Sequence, residues 1–244
     1  MRPLLIALAI LLAIRISIHA DGPPAAASAS AAAASAGNAS SRARVSSSFS
    51  VCVYCGASDL VDAKYPAAAR ALGAGLARRG WTLVYGGNDA GLMGAVARGA
   101  RENGGRVVGV IPKFIRAWNP SYDDYDELLV VTTMAERKLV LQTRSDAFVV
   151  LPGGLGTLDE FADTVELRQL ALLEKPIILF NQDGYYDAII AFVEHGIREK
   201  FTQESIRAKF SVASTTEELL AQLDAAARAR PAPAGGQKRK SSEP

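Results

Sequence analysis

From residue 50 onward the chain alternates between short, almost wholly apolar runs and longer stretches with helical periodicity. Residues 50–55 are β-branched and aromatic and stop at Gly56, as a buried strand does. Residues 62–79 have helical composition and close at Gly80, a residue suited to the turn just past a helix end. The same alternation predicts further strands at 81–85, 106–111, 128–131, 147–151 and 177–180. It predicts further helices at 90–103, 134–145, 157–174, 186–200 and 216–227. Strands with so few polar positions have both faces buried, which marks a parallel sheet covered by helices on both sides. Right-handed crossovers then build an α/β fold, a Rossmann-like doubly wound parallel sheet, in a single domain over residues 49–229. Ligands of such sheets sit beyond the carboxyl ends of the strands, so the loops there are where chemistry is sought.

The two ends of the chain read differently. Residues 4–14 form eleven apolar positions behind Arg2, too short for a helix that spans a bilayer but fitting a signal-peptide core, with Ala20 as a small residue at its end. Of residues 21–50, twenty are Ala or Ser and one is acidic. Such a segment buries too little apolar surface to offset its ordering entropy, and its composition is that of a transit peptide. The expectation is a signal-like segment 1–20, a disordered transit-like segment 21–48 and a disordered tail 230–244. That pattern points to secretory or plastid targeting; an upstream start codon would leave the protein cytoplasmic.

Composition narrows the function classes. Of 244 residues, 49% are hydrophobic and 21% charged, the profile of a folded globular protein. The net charge of +2 divides into +3 over residues 1–50 and −1 over the rest, so the body lacks the basic surface of a nucleic-acid binder. With two Cys and two His, a disulfide framework, a zinc centre and a Ser-His-Asp triad are all disfavoured, although carboxylates alone could hold magnesium. Cys52 and Cys55 have C-x-x-C spacing but lie on a strand rather than opening a helix, which reads as buried packing.

Two glycine-rich segments end strands and feed helices. The first runs Gly86-Gly87-Asn88-Asp89-Ala90-Gly91-Leu92-Met93-Gly94 and does not have dinucleotide spacing. Its glycines serve either an anion or tight strand–helix packing. The second, Pro152-Gly153-Gly154-Leu155-Gly156-Thr157-Leu158-Asp159-Glu160, repeats the arrangement and lacks a P-loop lysine, which suits a monophosphate. Thr157-x-x-Glu160 also has capping-box spacing, so Glu160 is either a cap or a catalytic carboxylate. Thr133-x-x-Glu136 has the same spacing. It places Arg137 and Lys138 near a helix start, where cations oppose the macrodipole and an anion would justify them.

In this order the motifs resemble the LONELY GUY family over about residues 50–225, with Met134-x-x-Arg137-Lys138 and the second glycine segment the most specific. Members of that family are cytokinin riboside 5′-monophosphate phosphoribohydrolases, often labelled lysine decarboxylases. A decarboxylase would need a pyridoxal-bearing lysine, for which this sequence makes no particular case. The resemblance implies a Rossmann-like homodimer with no organic cofactor, no metal and no stable membrane association. Its reaction would be hydrolysis of the N-glycosidic bond of a nucleoside 5′-monophosphate. It places the catalytic pair on Arg137 and Glu160. Substrate contacts would fall on Gly86, Gly87, Asn119, Lys138, Gly153, Gly154, Leu155, Gly156, Thr157, Leu158, Asp159 and Glu166. Departures from the plant pattern are Asn88 for Gly, Ala135 for His, Asn119 for Glu and Glu166-Leu167 for Thr-Trp, and they bear on the base pocket. The alternatives are a broader purine monophosphate (AMP) nucleosidase and a non-catalytic nucleotide or molybdenum-cofactor carrier on the same fold. Leu167, Leu170 and Leu173 are expected either to pack across a two-fold or to belong to the monomer core.

Overall fold

A computed structural model describes residues 49–117 and 123–230. The expected leader segments 1–20 and 21–48, the tail beyond 230 and the substrate-contact position Asn119 lie outside the described residues. The strands are β1 (Ser50–Tyr54), β2 (Thr82–Tyr85), β3 (Val107–Pro112), β4 (Glu127–Val131), β5 (Ala147–Val150), β6 (Ile177–Phe180) and β7 (Ser211–Ala213). The α-helices are α1 (Lys64–Arg78), α2 (Gly91–Arg101), α3 (Lys113–Arg116), α4 (Met134–Arg144), α5 (Leu155–Gln169), α6 (Asp187–Arg198) and α7 (Thr216–Ala229). All seven strands are parallel, in the order β4-β3-β2-β1-β5-β6-β7.

The chain starts in the middle of the sheet, winds outward to β4, returns to place β5 beside β1, and winds outward again to β7. The direction of winding reverses between β1 and β5. At such a point consecutive helices go to opposite faces and leave a crevice above the strand ends. Burial follows the pleat. Val51 and Val53 join a core with α1, α2 and α7, whereas Cys52 and Tyr54 join a second core with α4, α5 and α6. Both faces of β1 are therefore dry, which is why its sequence shows no polar alternation. Cys52 and Cys55 are free and buried, and burial pushes both thiols well above their ordinary range, so they pack as small apolar groups. Among the described residues no helix is long and apolar enough to cross a membrane.

The predicted strands and helices are present, with differences at their ends. β7 has no counterpart in the hydrophobic pattern, because it is three residues long and only Ala213 is buried. α5 begins at Leu155 rather than Thr157 and stops at Gln169 rather than 174. It ends in a Schellman motif, with the Ala171 N–H donating to Arg168 and the Leu172 N–H to Leu167. Ala171 takes the left-handed conformation (φ 57°) that glycine usually supplies, so the stop carries no glycine signal. Gly80, by contrast, closes α1 with φ 67°, as its sequence position predicts.

Helices α1 and α2 meet backbone to backbone. A methyl group on Gly99 would lie 2.1 Å from the Arg70 carbonyl oxygen, and one on Gly73 would lie 2.1 Å from that of Val96. Alanine in place of a helix-interior glycine ordinarily stabilises by about 1 kcal/mol. Here the sign reverses, since neither backbone can yield without separating the helices. Gly99→Ala is expected to lower stability by about 1–3 kcal/mol, measured by urea unfolding; an unchanged or raised midpoint would refute this packing argument.

Candidate active site

Three strand ends and two helices converge above the β1–β5 switch point. Arg137, in the first turn of α4, is 6% exposed and has its guanidinium shared among three elements. Its Nε donates to the Val110 carbonyl of β3 at 3.2 Å, Nη2 to the Gly86 carbonyl just past β2 at 3.3 Å, and Nη1 to Glu160 Oε1 of α5 at 2.9 Å. Position 86 has to be glycine for this arrangement, because a methyl group there would sit 2.0 Å from Nη2. Glu160 is 4% exposed, and its second carboxylate oxygen takes no protein hydrogen bond among the described residues. Burial raises its pKa from the ordinary 4.5 to about 7, with the Arg137 charge opposing that rise. A carboxyl group titrating near neutrality beside a fixed guanidinium is equipped to stabilise positive charge on a reacting atom.

The structure removes one of the two readings of Glu160, that of a cap. Thr157 lies inside α5 rather than at its cap, and Gly154 occupies the N-cap position with no side-chain cap. Glu160 therefore caps nothing and turns to Arg137. The other Thr-x-x-Glu does cap its helix, in a variant of the box shifted by one residue: Glu136 N–H donates to Thr133 Oγ1 at 3.1 Å, while the Glu136 carboxylate accepts from the N–H of Thr132, just before the cap, at 2.7 Å.

The two helix starts differ in what they leave free. At α2 the N–H groups are taken by the chain itself: Gly91 donates to Asp59 at 2.7 Å, and Leu92 and Met93 donate to the Gly56 carbonyl. Methyl groups on Gly91 and Gly94 would strike Ala57, Ser58 and Asp89. The first glycine segment is thus a packing device beyond Gly86 and Gly87, the second of the two uses its sequence left open. At α5, Gly153 is hemmed in by Thr157 Oγ1 and the Gly56 N–H, but methyl groups on Gly154 or Gly156 would meet nothing within 4 Å. Neither position needs glycine for the protein's own packing, and both lie at an uncapped helix start.

Gly86, Arg137, Glu160 and the segment from Gly153 to Thr157 are brought to one crevice, whereas Gly87 faces Val110 and Ile111 of β3 and its carbonyl accepts from Tyr125 Oη at 2.6 Å. Leu155 is 84% exposed at its rim, whereas Leu158 packs into the core. Lys138 is not free for an anion: its Nζ donates to Asp159 and Asp163, each at 3.2 Å. Burial pulls its pKa down, but the two carboxylates outweigh that and the net shift is upward. Glu166 is not part of the cluster. It borders a groove of about 350 Å³ between α5 and α6, lined by Phe192 and Phe201. Leu167 and Leu173 belong to the monomer core, while Leu170 is exposed. Sequence reasoning missed Asp163, whose Oδ2 accepts from the buried Gln142 at 2.6 Å and so ties α4 to α5. It also missed Tyr185 and Tyr186, which bond the glycine loop; neither stands in a motif or a periodic position.

A doubly wound parallel sheet with a buried Arg–Glu pair beside an open helix start defines an α/β protein built to hold an anionic ligand next to an ionisable carboxyl group. The family model described as "possible lysine decarboxylase" matches residues 93–223. A protein of Oryza sativa subsp. japonica is 41% identical over 174 residues, 71% of each chain, and its name reads "probable cytokinin riboside 5′-monophosphate phosphoribohydrolase". A cytokinin riboside 5′-monophosphate phosphoribohydrolase of Arabidopsis thaliana is 38% identical over 182 residues, covering 74% of this chain and 80% of its own. Among solved structures, the molybdenum cofactor carrier protein of Chlamydomonas reinhardtii superposes with a TM-score of 0.57 at 22% identity, covering 74% of this chain and 99% of its own. That likeness is one of fold. The chain belongs to the LONELY GUY family.

The titration of Glu160 has a sign that stability can read. Between pH 4.5 and about 7 the folded state holds a proton that the unfolded chain has released, so stability falls as pH rises through that window and levels off above it. Glu160→Gln is expected to remove this component, which appears as a flatter melting temperature against pH than in the parent. Parallel curves for the two proteins would show that the carboxyl group is not displaced in the folded state.

Proposed function

We propose that this protein hydrolyses the N-glycosidic bond of cytokinin riboside 5′-monophosphates, releasing the free base and ribose 5-phosphate. The observation that carries the reading is the buried Arg137–Glu160 pair set beside the uncapped, unobstructed start of α5. The 5′-phosphate is held by backbone N–H groups from Gly154 to Thr157 and the positive end of the α5 dipole. The ribose then lies over Glu160. As the base departs with the bonding electrons and takes up a proton, C1′ gains oxocarbenium character, which the ionised Glu160 stabilises until water adds there and gives up a proton in turn. Arg137 fixes the carboxylate and draws its pKa down toward the working range. Lys138, held by Asp159 and Asp163, borders the phosphate subsite and locks α4 against α5. The 38–41% identity to named phosphoribohydrolases supports the substrate class. The protein acts as a homodimer, a reading supported by Leu139, Leu155 and Phe192, exposed apolar side chains on α4, α5 and α6 over one sheet face.

Side-by-side assays with isopentenyladenosine 5′-monophosphate and AMP test the substrate. Preference for the isopentenyl nucleotide is expected, equal or better cleavage of AMP would make the protein a general nucleotide nucleosidase, and binding without release from either would make it a carrier. Glu160→Gln is expected to keep the fold and lower base release by at least about a hundredfold; activity within a few-fold of the parent would overturn the assigned mechanism. In the parent, kcat/KM is expected to rise with pH through about 7 as Glu160 ionises. Arg137→Met should move that limb upward, because the charge that opposes the rise is gone. A limb that does not move would separate Arg137 from the titrating group.

A further inference from the structure

The loop between β5 and α5 presents donors to the crevice only if its peptide groups face the right way, and the protein fixes each of them. In a trans peptide the carbonyl of one residue and the N–H of the next point in opposite directions, so whatever engages the carbonyl aims the following N–H. The Leu151 carbonyl accepts from Tyr186 Oη at 2.8 Å, that of Pro152 from the Gly56 N–H at 3.1 Å, and that of Gly153 from Tyr185 Oη at 2.7 Å. The second of these bonds orients the Gly153 N–H and the third orients the Gly154 N–H. With its three carbonyls engaged by the protein, the loop presents N–H groups alone.

We propose that Tyr185 is a positioning residue for this site: by holding the Gly153 carbonyl it aims the Gly154 N–H at the phosphate of the substrate. The proposal rests on the reading that the loop holds a 5′-phosphate. Tyr185 is itself placed by a built support. Its ring meets Tyr186 edge-on at 4.9 Å and Tyr65 of α1 at 5.8 Å. The segment before it is clamped at both ends. Asn181 accepts from the Tyr186 N–H at 2.7 Å and donates to Asp187 at 2.8 Å, while Asp183 pairs with Lys64 of α1 at 3.0 Å. Burial pushes the Tyr186 phenol well above its ordinary range, so it stays a donor to Leu151. Pro152, which has no N–H, follows Leu151, so the Tyr186 bond fixes the loop's exit from β5 without aiming a donor. Tyr185 alone of the two phenols sets the direction of an N–H. Tyr185 is 43% exposed and Gly153 half-buried, so water can reach the carbonyl that a lost hydroxyl releases, and Tyr185→Phe separates positioning from folding.

The test uses the full chain and compares parent with Tyr185→Phe on a nucleoside 5′-monophosphate, on the same nucleoside without phosphate, and in inhibition by ribose 5-phosphate and by the free base. Loss of one oriented donor is expected to raise KM for the monophosphate and the inhibition constant of ribose 5-phosphate about fivefold. The value of kcat, the pH limb set by Glu160, the inhibition constant of the free base and the kinetics on the bare nucleoside should stay within about twofold, because the donor that Tyr185 aims reaches only the phosphate end. If the parent prefers the monophosphate and Tyr185→Phe leaves its KM unchanged, the positioning role is refuted while the phosphate reading stands. An equal loss on nucleoside and nucleotide would refute it too, by showing a general structural role. If the parent does not distinguish monophosphate from nucleoside, the loop is not a phosphate cradle and both readings fall.

Discussion

The ion pair between Arg137 and Glu160 is the interaction on which the arrangement of the site depends. Two charges taken out of water cost several kcal/mol each, and their mutual attraction repays this only when the remaining hydrogen-bonding capacity is met. Here the guanidinium gives two further donors to the carbonyls of Val110 and Gly86, so one side chain of α4 ties together the ends of β2 and β3 and the second turn of α5. An apolar pair of similar volume would fill the same space at less cost in desolvation. The arrangement makes sense as chemistry: a carboxylate held near its own protonation point, with one oxygen fixed and the other unengaged among the described residues.

The glycines divide by what stands against them, and that division supports the proposed place of the phosphate. Gly73 and Gly99 let α1 and α2 touch, Gly86 admits the Arg137 guanidinium, and Gly153 admits Thr157. Gly154 and Gly156 have nothing near them, at a helix start that no side chain caps. The other helix start at the same sheet edge, α2, has its donors consumed by Asp59 and Gly56. Two segments alike in composition therefore have different uses, one closing a packing contact and the other leaving partial positive charge open to an anion.

A doubly wound sheet hosts many activities, so the fold shared with the molybdenum cofactor carrier says little about reaction. What distinguishes this chain is the local environment of two side chains. Burial and a neighbouring cation act in opposite directions on Glu160, and the outcome near neutrality follows from burial being the stronger of the two.

The sequence by itself determined six of the seven strands and the doubly wound class, because strands dry on both faces leave continuous apolar runs and helices leave a 3.6-residue period. The positions of Arg137, Glu160 and the second glycine segment were legible for a related reason: they stand in contiguous motifs at strand ends. The tertiary structure alone decided what those residues do. Thr157-x-x-Glu160 and Thr133-x-x-Glu136 have the same spacing, yet only the second is a cap, since the choice turns on where the chain enters the helix and on a guanidinium 23 residues away in sequence. The Tyr185 and Tyr186 contacts to the loop, and the Asp163–Gln142 link, join residues 21–35 positions apart and follow no period. Local propensity registers neighbours along the chain, whereas these interactions exist only once the parallel crossovers have brought β5, β6 and their helices together.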